Sequence, residues 1–176
     1  MDIISLIPTI VLVITVVITG AQTYLLRKQV KAEHEWKRRE KALSFSKIYN
    51  ESLRESQLKI SNAFGYIQSR ELPLTPDEIK QAFDKDPTLR DDVSFFLAYL
   101  ENIGLAVRHH IANFEIIYDL MANTYLKYYF LFQLHIRKAK EHNPRLWENI
   151  EFLANELEDE RRRRREKPVR LPRADK

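Results

Sequence analysis

The sequence predicts an all-α fold: one N-terminal transmembrane helix continuing into a cytosolic bundle of about four to five helices. Three observations carry this. No charged residue occurs from Ile3 to Leu26. Beyond that run, apolar residues recur at steps of three and four, the period of one helix face. The chain has only 3 Gly in 176 residues while 31% are charged, a balance that suits helices and lacks the turn residues of a β fold.

The apolar run comes first. Residues 3–20 read IISLIPTIVLVITVVITG, and the uncharged stretch extends to Leu26. About 20 apolar residues rising ~1.5 Å each span a hydrocarbon core of ~30 Å. In lipid such a segment is helical, because no other single segment satisfies its own backbone groups there. Pro8 falls in the first turns, where a missing N–H costs least. Asp2 precedes the run, and Arg27, Lys28 and Lys31 follow it. The positive-inside rule then places the N-terminus outside and the long C-terminal part in the cytosol, at the inner (plasma) membrane. Tyr24 suits the interfacial belt. A cleaved signal peptide is the competing reading. It is disfavoured by the missing basic n-region and the absence of a small-x-small cleavage site.

Charge divides the rest. Residues 27–41 hold seven Lys/Arg against three Glu, and read as a charged helical stalk. Residues 42–160 hold 13 Lys/Arg against 19 Asp/Glu, and read as the helical domain. Residues 161–176 hold nine Lys/Arg against Glu166 and Asp175, and read as a basic disordered tail. An acidic body between basic flanks argues against a nucleic-acid-binding face. With no cysteine there is no disulfide framework and no thiolate metal site.

From Arg27 to about Arg70 there is no proline, and Gly65 is the only glycine, so one continuous helix is expected, with Phe45, Ile48, Tyr49, Leu53, Ile60, Phe64 and Ile67 at helical spacing. Trp36 is expected to pack on the domain, or the stalk to lie along the membrane. Thr75-Pro76-Asp77-Glu78 has the form of a capping box with Pro at N1. Asp86-Pro87 is expected to cap a helix whose seam is Leu89, Val93, Phe96, Leu100, Ile103 and Val107. After a turn at residues 109–113, with Asn113 as N-cap, residues 114–141 form a helix that is apolar nearly all round. A second span would place Asp119 and Lys127 in lipid, at ~2.5–3.5 kcal/mol each; a central core helix is the preferred reading. Asn143-Pro144 is expected to start the last helix.

Three stretches together carry a resemblance. They are Lys37-Arg38-Arg39-Glu40-Lys41-Ala42-Leu43-Ser44-Phe45; Phe96-Leu97-Ala98-Tyr99-Leu100-Glu101-Asn102-Ile103-Gly104-Leu105-Ala106-Val107-Arg108 leading to Ile117-Tyr118-Asp119-Leu120; and Asn143-Pro144-Arg145-Leu146-Trp147-Glu148-Asn149-Ile150-Glu151-Phe152-Leu153. Over roughly residues 37–157 the chain resembles a bacterial family of small membrane-anchored proteins catalogued as domain of unknown function 4760. The resemblance implies the architecture and a bacterial origin, and carries no activity. Where that family usually has a glycine and acidic residues before the Tyr-Asp pair, this chain has His109, His110, Ala112 and Asn113.

Candidate polar residues are few. His109, His110, Glu115 and Asp119 lie close in sequence and are ligand types for a divalent metal; against this, turn histidines are usually solvated and Glu115 suits a helix N-terminus. Arg137 and His142 have the Arg-x4-His spacing of helical ribonucleases of the HEPN class, a spacing expected by chance in so arginine-rich a chain. Tyr24, Arg27, Lys28 and Lys31 mark the membrane interface. Arg161, Arg162, Arg163, Arg164 and Arg165 form a run open to lipid, nucleic acid, an acidic partner or water alone. No catalytic motif, cofactor site or small-molecule substrate is evident.

The function expected is a membrane-anchored, non-enzymatic helical module that binds a protein partner or itself at the cytosolic face. The alternatives are a membrane-perturbing effector of a bacterial defence or toxin system, and a tethered ribonuclease.

Overall fold

The structure, a computed structural model, describes residues 3–51, 53–65 and 70–164; of residues 3–11, 13, 50 and 51 it describes the backbone alone. The described residues form six helices and no strand: α1 (Ile3–Glu51), α2 (Arg54–Phe64), α3 (Pro76–Lys85), α4 (Leu89–Arg108), α5 (Phe114–Lys140) and α6 (Glu148–Arg163). Two compact units are distinguished, Met1–Lys37 and Arg38–Lys176.

In the first unit the described apolar side chains are exposed, Leu12 by 63% and Val17 by 64%. Trp36, for which packing on the domain was one expectation, is 66% exposed. Among the described residues no helix is long and apolar enough to cross a membrane. The transmembrane anchor expected over residues 1–26 is therefore without support from the described residues; the side chains of residues 3–11 and 13, ten of the 24 in its uncharged run, lie outside them.

The second unit has one core. Ala42 and Phe45 at the end of α1, Ile60 of α2, Ile79 of α3, the α4 seam, and Leu153 and Leu157 of α6 are buried with α5 among them. α5 is buried nearly all round through its middle turns: Tyr125, Leu126, Lys127, Tyr128, Phe130, Leu131 and Phe132. It is the central core helix that its sequence suggested. Lys127 is tolerated there because its ammonium donates to the Arg70 carbonyl at 2.6 Å and lies 5.7 Å from the centre of the Phe130 ring. The aromatic rings of Tyr49, Phe96, Tyr99 and Tyr128 pack α1, α4 and α5 together, with Phe96 and Tyr128 only 4.2 Å apart at their centroids.

Local signals placed several boundaries correctly. The Thr75 hydroxyl accepts from the Glu78 N–H at 3.2 Å and the Glu78 carboxylate accepts from the Thr75 N–H at 2.8 Å, the reciprocal capping box. Backbone donation from Thr75, with Arg70 nearby, holds the Glu78 carboxyl below its ordinary range. Asn113 caps α5 through its side chain, which accepts from Ile116 N–H at 3.0 Å.

Three boundaries differ from expectation. The helix expected to run to about Arg70 breaks before Leu53, with α2 starting at Arg54. No helix breaker marks the spot. The break buries Leu53 completely and turns Ser56 and Lys59 onto Asp92 of α4, at 2.7 and 3.2 Å. Asp86 does not cap α4 directly: its carboxylate accepts from the Thr88 N–H at 3.0 Å, and the helix starts at Leu89. Asn143-Pro144 opens a turn, and α6 starts five residues later at Glu148.

Candidate functional site

The turn that holds the two histidines is a helix ending. Ile111 N–H donates to the Ala106 carbonyl at 2.8 Å and His110 N–H to the Val107 carbonyl at 3.0 Å. This is a Schellman motif, and its left-handed position is His110, with φ 55°. His109 and His110 are both exposed there. Glu115 and Asp119, one turn apart on α5, face an arginine instead. The Arg164 guanidinium donates to Asp119 at 3.1 Å, to Glu160 at 2.7 Å and to Glu115, and lies 4.2 Å from the Tyr118 ring centre. The two carboxylates already have a cation, and no group of three or more metal-ligating side chains occurs among the described residues.

The basic run is partly built into the domain. α6 continues through Arg163, past the point where a disordered tail was expected. Arg161 is 3% exposed and donates to the Asn123 side-chain oxygen of α5. Arg163 pairs with Glu160 at 3.3 Å, and Arg162 lies 3.9 Å from both Glu158 and Asp159. Arg165 lies outside the described residues, as does the rest of the tail. Arg137 and His142 are both exposed, on the last turn of α5 and in the turn after it, and no hydrogen bond or ion pair joins them among the described residues. Tyr24, Arg27, Lys28 and Lys31 are exposed along α1.

Two arrangements were not visible in the sequence. The first is a clasp between α4 and α6. Trp147, the residue before α6, is left-handed (φ 56°) and caps nothing. The cap comes from α4: the Glu101 carboxylate accepts from Asn149 N–H at 3.3 Å, from the Asn149 amide at 2.6 Å and from Ile150 N–H at 3.0 Å. A negative charge at a helix N-terminus is favoured by the unpaired N–H groups and the helix dipole. One turn along, Gly104 lets the Asn149 backbone in so closely that an added Cβ would lie 2.1 Å from the Asn149 carbonyl oxygen. Another turn along, Arg108 donates to the Asn149 side-chain oxygen at 3.0 Å and to Glu148 at 3.1 Å. Behind the clasp, the fully buried Tyr125 hydroxyl donates to the Leu100 carbonyl at 3.1 Å.

The second is a cleft of about 470 Å³ between α3, α4, α5 and the turn before α6. Its wall is aromatic: the His135 ring lies edge-on to Phe83 at 6.4 Å and tilted against Trp147 at 5.7 Å. Burial, with Lys138 nearby, pushes the His135 pKa below its ordinary value of 6.5, so the imidazole is neutral at pH 7. Lys80, Arg90 and Lys138 also line the cleft, and no carboxylate is among its lining residues.

The family described as Domain of unknown function (DUF4760) matches residues 8–157. The chain belongs to that family. Among the stretches that carried the resemblance, Glu101, Gly104 and Arg108 meet Glu148, Asn149 and Ile150 in the clasp; those soft helical patterns thus converge on one helix crossing. No curated protein and no solved structure matches the chain.

Proposed function

We propose that this DUF4760 member is a single-pass, membrane-anchored helical interaction module. Residues 3–26 seat in the inner membrane with the N-terminus outside. The bundle lies in the cytosol, where it binds a protein partner or a second copy of the chain. The observation that carries the anchor is the 24-residue uncharged run at the start of α1. Its described apolar side chains, Leu12, Ile14, Val16, Val17 and Ile18 among them, are exposed. Burying each such side chain is worth about 1.5–3 kcal/mol, which lipid supplies. The Thr23 hydroxyl is satisfied within the helix by the Thr19 carbonyl at 2.8 Å, as lipid requires of a polar group.

Support for a partner surface comes from the bundle. A groove of about 450 Å³ between α1 and α4 is lined by Phe45, Ile48, Leu53 and Tyr99 and edged by Phe95 and Ile111, which are 55% and 53% exposed. Phe45, Leu53 and Tyr99 form its buried floor, while Ile48 and Leu105, 40% and 41% exposed, join Phe95 and Ile111 at its surface, and clustered exposed apolar residues mark interaction sites.

The anchor is tested by alkaline carbonate extraction of membranes carrying the full chain. Wild type stays in the pellet, and a Val16→Lys/Val17→Lys variant is released, each lysine costing ~2.5–3.5 kcal/mol at mid-membrane. Extraction of the wild type removes the anchor. The chain lacks cysteine, so a single Asp159→Cys reports orientation; labelling from outside intact cells reverses it. For the groove, Phe95→Glu with Ile111→Glu abolishes cross-linking of the chain in membranes, and an unchanged pattern removes the groove as the surface.

A further inference from the structure

The cleft beside His135 joins four features that the interaction reading does not use. It is a concave space of about 470 Å³, within the ~300–1,000 Å³ range of small-ligand sites. Its aromatic wall is built from three rings on three different segments: Phe83, His135 and Trp147. Its rim carries Lys80, Arg90 and Lys138, and none of the three has an ion-pair partner among the described residues; Arg90 lies over the Phe83 ring at 5.6 Å. Trp147 is held in left-handed backbone, a conformation that bulky side chains avoid and that folded chains keep where the surroundings over-determine it. Here the clasp does so, because Arg108 holds Glu148 and Glu101 and Gly104 fix Asn149 and Ile150 just beyond it.

We infer that this cleft binds a small anion carrying a planar ring, of the nucleoside monophosphate class, with the base against Trp147 and His135 and the phosphate on Lys80, Arg90 and Lys138. The assignment follows from the chemistry of the lining. Three cations with no carboxylate among them favour a multiply charged anion, and guanidinium and ammonium groups bind phosphate through charge-assisted hydrogen bonds. The imidazole and the indole, inclined at 37° to each other, each offer a ring face on which a base stacks whatever its sequence identity. The cleft is formed wholly by residues 76–147, so its occupancy is independent of whether α1 sits in lipid.

The test uses the full chain in non-ionic detergent with Trp36→Phe, which leaves Trp147 as the only indole. Adenosine monophosphate quenches Trp147 fluorescence saturably. Adenosine alone and inorganic phosphate alone bind about tenfold or more weakly, since each supplies one half of the contacts. A Lys80→Gln/Arg90→Gln/Lys138→Gln variant changes only exposed side chains and keeps its helical circular dichroism, yet binds the nucleotide at least roughly tenfold more weakly. Three results overturn the assignment: no saturable quenching up to about 5 mM, the weak end of useful affinity; equal affinity for phosphate and nucleotide; or an unchanged constant in the triple variant.

Discussion

Replacing Gly104 by alanine is the sharpest single test of how this domain is held together. On an isolated helix the change stabilises by about 1 kcal/mol, because glycine has the more flexible unfolded chain. Here the new Cβ would stand 2.1 Å from the Asn149 carbonyl oxygen and 2.6 Å from its carbonyl carbon. Both atoms are backbone, so no side chain can swing away. α4 and α6 must part by roughly 1 Å, and overpacking of this kind costs about 1–3 kcal/mol. The separation also pulls Glu101 from the α6 N-terminus, where its contacts to Asn149 N–H and Ile150 N–H are 3.3 and 3.0 Å. Hydrogen bonds to a charged group contribute about 1.5–3 kcal/mol each. The net expectation is a loss of about 3 kcal/mol, which lowers Tm by roughly 6–12 °C for a domain of this size. Thermal unfolding followed by circular dichroism measures it, with Gly20→Ala as the control, since nothing lies within 4 Å of a Cβ there. A Gly104→Ala protein as stable as wild type would refute the close crossing and the capping role of Glu101 with it.

Three more outcomes follow from particular residues. His110→Gly relieves a left-handed histidine and raises stability by about 1 kcal/mol in urea titration; a loss would mean that the His110 side chain makes a contact worth more than the backbone strain. Arg161→Ala and Arg164→Ala separate buried from exposed arginine. The first removes a 3%-exposed side chain bonded to Asn123 and costs about 2–4 kcal/mol, while the second, on a more exposed arginine, breaks pairs with the exposed Glu115 and Asp119 and with the less exposed Glu160 and costs about 1 kcal/mol, so equal effects would contradict the burial. His135 has a depressed pKa in the fold, so the unfolded chain takes up its proton first as pH falls. Its contribution is whole above about 6.5 and is lost as pH drops from there through the folded value; a His135→Phe chain shows a flatter decline of stability over that interval, and identical pH profiles would remove the burial argument.

The sequence by itself determined what depends on neighbours along the chain. Helical class, the Thr75–Glu78 capping box, the Asn113 cap and the buried seam of α4 all rest on interactions within one or two turns, and they appear where the residues place them. Tertiary structure decided what depends on residues far apart. The α1–α2 break carries no breaker and exists to bury Leu53 against the bundle. The start of α6 shifted from Asn143 to Glu148 because its cap is supplied from α4, 47 residues earlier at Glu101, and no local pattern contains that residue. The histidines and acids close in sequence at 109–119 were separated by the same logic, since a Schellman turn took His110 and Arg164 took Glu115 and Asp119. The cleft gathers Lys80, Phe83, Arg90, His135, Lys138 and Trp147 from four segments. A helix caps and packs its own turns by short-range geometry that a reader of the chain can follow; which distant side chain satisfies its ends is set only when the helices cross.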